Sequence, residues 1–214
     1  MKNRFYTIND YGYDEIIINK SRFIGYAKPA NTEQEAIDFI EEIKTKHKDA
    51  THNVYGYVIG ENSNIQRFSD DGEPSGTAGI PVLEVIKKEN LRNTVVVVTR
   101  YFGGIKLGAG GLIRAYTKGA KIGIESAVIV EKVLYKKILF RINYSLLGKV
   151  KNELLRLNYY IEDITYDDAV NIFVLCDIND VDRLKNNVID VTNAQVDISE
   201  IDEQYVSVKD GKMI

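Results

Sequence analysis

The sequence predicts an α+β protein in two domains, and three observations carry the prediction. Strand-patterned and helix-patterned segments alternate along all 214 residues, as in mixed folds. The second half follows the order strand–helix–strand–strand–helix–strand, which is the split βαβ or ferredoxin-like order. The charge also changes: residues 1–133 carry a net +1 and residues 134–214 a net −4, together the −3 of the chain. The boundary is expected within Val130–Leu134, giving a first domain over residues 1–132 and a second over 133–214. No Pro/Gly/Ser-rich linker lies there, so a continuing strand is expected to join the domains.

In the first domain, Glu15–Asn19 holds three consecutive isoleucines, and Ser21–Pro29 follows with Phe23, Ile24 and Tyr26. Both read as strands, with a bend or hairpin at Asn19-Lys20. Thr32 followed by Glu35 has capping-box spacing, and Ala36, Phe39, Ile40 and Ile43 recur at helical spacing to about Lys48. Asn53–Gly60 reads as a strand with Ile65–Ser69 as its hairpin partner, and Ser69–Gly72 as a turn. A helix is expected within Thr77–Asn90, with Pro81 in its first turn. Thr94–Tyr101 contains four valines in a row, the pattern of a strand buried on both faces. A helix over Leu112–Ala127 is expected to turn Ile113, Tyr116, Ala120 and Ile124 inward.

In the second domain, strands are expected over Val133–Ile142, Tyr159–Tyr166 and Ala169–Asp177. Ala194–Val208 should form the last strand, with a break near Asp202. Helices are expected over Ser145–Asn158 and Val181–Val188. Between them, Asp167-Asp168 supplies a turn.

Composition excludes several classes. No apolar run approaches the roughly 18–20 residues that span a bilayer, and the first six residues lack a signal-peptide core. Cys176 is the only cysteine, so neither an internal disulfide nor a multi-cysteine zinc site can form. It lies in an apolar strand, where burial is expected. A cytoplasmic protein is the expectation.

Two dense clusters carry the chemistry. Five glycines lie between Phe102 and Leu112 (Gly103, Gly104, Gly108, Gly110 and Gly111), between a strand and a helix. Glycine permits positive φ and close ligand approach, and a helix N-terminus offers free N–H groups to an anion. Arg100, Lys106, Arg114, Lys118 and Lys121 surround this loop, and from Leu91 to Ile124 there is no acidic residue. That is the composition of an anion cradle. It is neither a Walker loop nor a dinucleotide fingerprint, because both spacings are absent. The bland alternative is tight helix–strand packing.

The second cluster is Asp-Asp-Gly-Glu-Pro-Ser-Gly-Thr over residues 70–77. Asp70, Asp71 and Glu73 can bind a metal, or Asp71 and Glu73 can act as acid and base. The reading preferred here is that they organise the site by holding Arg100 or Arg114, with Ser75 or Thr77 capping the next helix. His52 is expected to assist at the same surface. His47, among lysines at a helix end, is expected to be exposed. The tyrosines are expected as half-buried strand residues rather than base-stacking platforms.

Residues 70–81 and 97–116 resemble the two signatures of the YigZ/Impact family. Lys20–Gly25 and Ala50–Asn53 resemble its flanking motifs, so the likeness covers about residues 15–130. Where the family often has a cysteine after His-Asn this chain has Val54, which argues against thiol chemistry there. The resemblance implies a first domain like the second domain of small-subunit ribosomal protein five. It implies a second, ferredoxin-like domain similar to a late domain of elongation factor G. Eukaryotic relatives regulate translation by competing for a partner of a stress kinase, using an additional domain not recognised here.

The leading expectation is a non-enzymatic binding protein that contacts RNA or the ribosome, with no catalytic residue, metal or cofactor and no membrane. One alternative is an enzyme or sensor for a phosphorylated small molecule, since the implied first-domain fold is shared with a class of small-molecule kinases. Another is a regulator that receives a protein partner on the same surface.

Overall fold

The computed structural model describes residues 3–214, which divide into two compact units. One runs to Lys132 and takes in Ser207–Met213; the other is Val133–Val206 with Ile214. The first unit contains strands β1 (Arg4–Ile8), β2 (Gly12–Ile18), β3 (Ser21–Pro29), β4 (His52–Ile59), β5 (Ile65–Ser69) and β6 (Thr94–Tyr101). Its helices are α1 (Glu33–Lys46), α2 (Gly79–Lys88) and α3 (Gly108–Ser126). The chain leaves it along β7 (Ile129–Ile142).

β2 to β6 form a five-stranded sheet in the order β2-β3-β6-β4-β5, antiparallel throughout. The central strand β6 explains the four valines. Val95 and Val97 face Phe39, Ile40 and Ile43 of α1. Val96 and Val98 face Val82, Ile86, Tyr116 and Ala120 of α2 and α3. A helical layer on each side lets an antiparallel strand carry an unbroken apolar run, the pattern usually read as parallel. Each fully buried valine contributes about 1.5–3 kcal/mol of transfer free energy.

Local chemistry sets the other elements. Asn19 and Lys20 both have positive φ (46° and 63°), which closes β2 onto β3 as a two-residue hairpin. Thr32 accepts from the Glu35 amide, and the Glu35 carboxylate accepts from Asn31 N–H, so the capping residues engage one position wider than the usual box.

Some expectations need correction. α3 starts at Gly108, so Gly110 and Gly111 lie within the helix, Gly108 opens it, and only Gly103 and Gly104 belong to the loop. Ile113 is 42% exposed; the buried stripe is Leu112, Ala115, Tyr116, Gly119, Ala120, Gly123 and Ile124. β1 was not expected from the sequence; its Tyr6 carbonyl accepts from Arg92 N–H.

The second unit contains β7, α4 (Leu147–Arg156), β8 (Tyr160–Tyr166), β9 (Val170–Asp177), α5 (Val181–Thr192) and β10 (Asp197–Lys209). Its strands lie in the order β10-β7-β9-β8, the arrangement of a split βαβ fold. Ile138, Phe140, Ile172 and Val174 pack against Val150 and Leu154 of α4 and Leu184 and Val188 of α5. β10 runs unbroken through Asp202, and its end pairs with β11 (Lys212–Met213). Cys176 is buried, and burial raises its thiol pKa to about 12. Among the described residues no helix is long and apolar enough to cross a membrane.

Candidate functional site

Strand register assembles the site. In the sheet, Arg100 of β6 lies between Phe23 of β3 and His52 of β4, so three side chains distant in sequence share one face. The Arg100 side chain is 6% exposed. Its guanidinium lies 5.4 Å from the ring centres of Phe23 and Phe102. Nη1 donates to Glu73 Oε1 at 2.5 Å, and Nη2 to Ser21 Oγ at 3.4 Å.

Three groups converge on Glu73 Oε1. Besides Arg100, the Tyr116 hydroxyl donates to it at 2.8 Å, and His52 Nε2 lies 3.7 Å away. The Asp71 carbonyl accepts from His52 Nδ1 at 2.7 Å and fixes the ring. Burial first, and then the Glu73 charge, pushes the Tyr116 phenol far above its ordinary pKa, so it remains a donor. A buried carboxylate needs this degree of pairing; removing one partner of such a pair costs about 3–5 kcal/mol. Arg100 is therefore not the exposed anion contact that the sequence suggested. Its charge is engaged by Glu73, and it joins the site as a wall.

The acidic turn is built around Asp70. Asp70 Oδ1 accepts from the amides of Ala78 (3.1 Å) and Gly79 (2.8 Å), and Oδ2 from Gly76 (2.9 Å). Burial raises the Asp70 pKa, but the three N–H donors outweigh it and hold it below the usual aspartate value. Asp70 thus does the work expected of Ser75 or Thr77. Ser75 is exposed, and Thr77 donates to the Pro74 carbonyl at 2.7 Å. Asp71 Oδ2 accepts from Asn53 N–H at 2.6 Å and ties the turn to β4. Among the described residues no cluster of His, Cys, Asp or Glu is arranged to hold a metal.

Beside this cluster is a cleft of about 390 Å³, lined by Glu73, Pro74, Arg100, Phe102, Lys106, Leu107, Gly108, Ala109 and Leu112. The loop holding Gly103 reaches it through a close approach: a Cβ on Gly103 would fall 2.0 Å from the Lys20 carbonyl. Gly108 opens α3 with φ 68°, a conformation that suits glycine. Gly104, Gly108 and Gly110 are exposed, and Gly111 is half-buried. The first turn of α3 has neither an acidic residue nor a side-chain cap, so its N–H groups remain available.

Lys106, Arg114, Lys118 and Lys121 are exposed. Arg114, Lys118 and Lys121 follow one another along α3 at spacings of four and three residues, on one face. Among the described residues, Lys121 alone of the four pairs with an acid, Glu125, at 3.7 Å.

Residues that sequence reasoning missed lie within the motifs. Tyr116 was read only as core, although a buried tyrosine hydroxyl requires a partner. Phe102, Leu107 and Ala109 line the cleft, and the sequence motifs assigned them no role. His47 is half-buried rather than exposed. It bonds the Tyr26 hydroxyl through Nε2 (2.6 Å) and the Tyr101 hydroxyl through Nδ1 (2.8 Å), and burial, with Lys46 and Arg22 nearby, lowers its pKa.

A unit with helices on both faces of an antiparallel sheet and a glycine-rich cleft, followed by a split βαβ unit, defines the class of protein. The model of the Impact N-terminal domain matches residues 19–124, and that of a domain of unknown function, DUF1949, matches residues 140–195. The chain is 45% identical to the IMPACT family member YvyE of Bacillus subtilis, over 96% of this chain and 95% of that protein. It is 33% identical to the IMPACT family member YigZ of Escherichia coli, over 66% and 74% of the two chains. A solved structure titled as that of a hypothetical protein superposes with a TM-score of 0.60 at 27% identity, covering 94% of this chain and 99% of the other. The chain belongs to the IMPACT family.

Proposed function

We propose that this protein is a non-enzymatic binding module for single-stranded RNA, acting close to translation as the family resemblance implies. The observation that carries the reading is the exposed basic row that begins with Lys106, before the open N-terminal end of α3, and continues along the helix through Arg114, Lys118 and Lys121. Such a row neutralises successive phosphates and releases their counterions, and the helix N-terminus adds N–H donors and a favourable dipole. The engagement of Glu73 by Arg100 and Tyr116 favours a holding role over proton transfer.

The test is binding of a labelled single-stranded RNA by fluorescence anisotropy, comparing wild type with Arg114→Glu/Lys118→Glu. Both positions are exposed, so the fold should persist, and circular dichroism checks it. Affinity at 0.1 M salt should fall at least tenfold. A folded double variant that binds RNA as well as wild type would sink the reading; one that lost only a protein partner would move the surface to protein recognition.

A further inference from the structure

We propose that the cleft beside Glu73 seats one ribonucleotide, with its ribose read by Glu73, its base on Phe102 and its phosphate on Lys106 and the first turn of α3. The inference deepens the RNA reading and rests on it. Three features of the cleft support it together. The first is polar and buried: Glu73 and Arg100 line the cleft with side chains 4% and 6% exposed. Arg100 Nε is buried without a hydrogen-bond partner, so the protein alone does not complete this cluster. The three contacts to Glu73 all fall on Oε1, which leaves Oε2 to accept from a ligand hydroxyl. An acidic side chain bonded to ribose hydroxyls is how dinucleotide sites read that sugar.

The second feature is apolar. Phe102 is 46% exposed, and Arg100 lies over its ring. Pro74, Leu107 and Leu112 complete a wall on which a base can stack whatever its identity. The third is the anion end, where Lys106, Gly108 and Ala109 reach the same cleft and the helix start supplies N–H donors. A volume of about 390 Å³ is near the lower end of the roughly 300–1,000 Å³ of small-ligand pockets, a size for one nucleotide rather than several.

The source can be a free nucleoside monophosphate or one unit of a strand, and the experiment separates them. A labelled five-nucleotide RNA and the DNA of the same sequence are titrated into wild type, Ala109→Trp and Arg114→Glu/Lys118→Glu, with uridine 5′-monophosphate and thymidine 5′-monophosphate as competitors. Ala109 is exposed and lines the cleft, so tryptophan there should fill it, and the thermal midpoint verifies folding. Wild type should bind RNA at least fivefold more tightly than DNA, and Ala109→Trp should erase that preference. Competition by uridine 5′-monophosphate, but not thymidine 5′-monophosphate, would support a free nucleotide. A ribose preference without competition would support a strand. Equal affinity of wild type for RNA and DNA overturns the proposal, as does an undiminished preference in Ala109→Trp. If Ala109→Trp changes nothing while Arg114→Glu/Lys118→Glu abolishes binding, the RNA reading stands and the cleft does not. If the charge reversal changes nothing, the RNA reading itself fails.

Discussion

At the scale of single residues, Asp70 decides whether the acidic turn holds its shape. Its carboxylate satisfies three amides at the start of α2, and an N-terminal cap of this kind stabilises by about 0.5–2 kcal/mol. Asp70→Ala should therefore lower stability by about 1–2 kcal/mol near neutral pH, read by urea denaturation. The pH dependence follows from the depressed pKa. The unfolded state binds the proton more readily, so the contribution is present above the ordinary aspartate pKa and is lost as pH falls through the folded value. The gap between wild type and variant should close in acid; a gap independent of pH would show that the charge does not matter. The carboxylates were legible as organisers, but their division of labour was not. A cap supplied from eight and nine residues upstream leaves no local N-cap pattern, so the nearer Ser75 and Thr77 drew the assignment. Arg100 was misread for a related reason: its charge is obvious in the sequence, but its burial depends on Phe23 and Glu73, which only the folded sheet brings to it.

At the scale of elements, α3 positions both the cleft and the basic row, and it does so by lying unusually close to β3. A Cβ added at Gly25 would fall 1.9 Å from the Gly119 carbonyl oxygen, so the backbones of strand and helix are nearly in contact. Gly25→Ala must push α3 away from the sheet. It should cost about 1–3 kcal/mol, the usual range for overpacking, measured by thermal or urea unfolding; a neutral effect would show that the helix shifts freely. Elements fixed by local rules were readable: the Asn19-Lys20 hairpin, the Thr32 cap and the all-valine β6. The start of α3 was not, because a run of glycines reads as loop by propensity and tertiary packing overrides it. Ile113 was placed inside by spacing, whereas the small residues Gly119 and Gly123 mark the face that actually packs. A stripe defined by small residues is invisible to a search for large apolar ones.

At the scale of the whole molecule, a net charge of −3 alone argues neither for nor against a polyanionic partner, and the segregation of charge along the chain matters more. The two-unit α+β plan was legible because periodicity and element order are properties of the chain itself. The content of the site was not, because it depends on which of several exposed basic residues keeps a free charge. Among the described residues, Lys106, Arg114 and Lys118 are exposed and form no ion pair, while Lys121 lies 3.7 Å from Glu125. If these four residues contact phosphates, the plot of log affinity for single-stranded RNA against log salt should have a slope of about −3, since each phosphate neutralised contributes roughly −0.7. Arg114→Glu/Lys118→Glu removes two of the four contacts and should reduce that slope by about half. Ala109→Trp leaves the row intact, so its slope should match wild type even as its preference for ribose disappears. Titrations between 50 and 200 mM salt, on the order used for such slopes, separate the row from the cleft. A wild-type slope near zero would mean that the basic face of α3 does not meet phosphate.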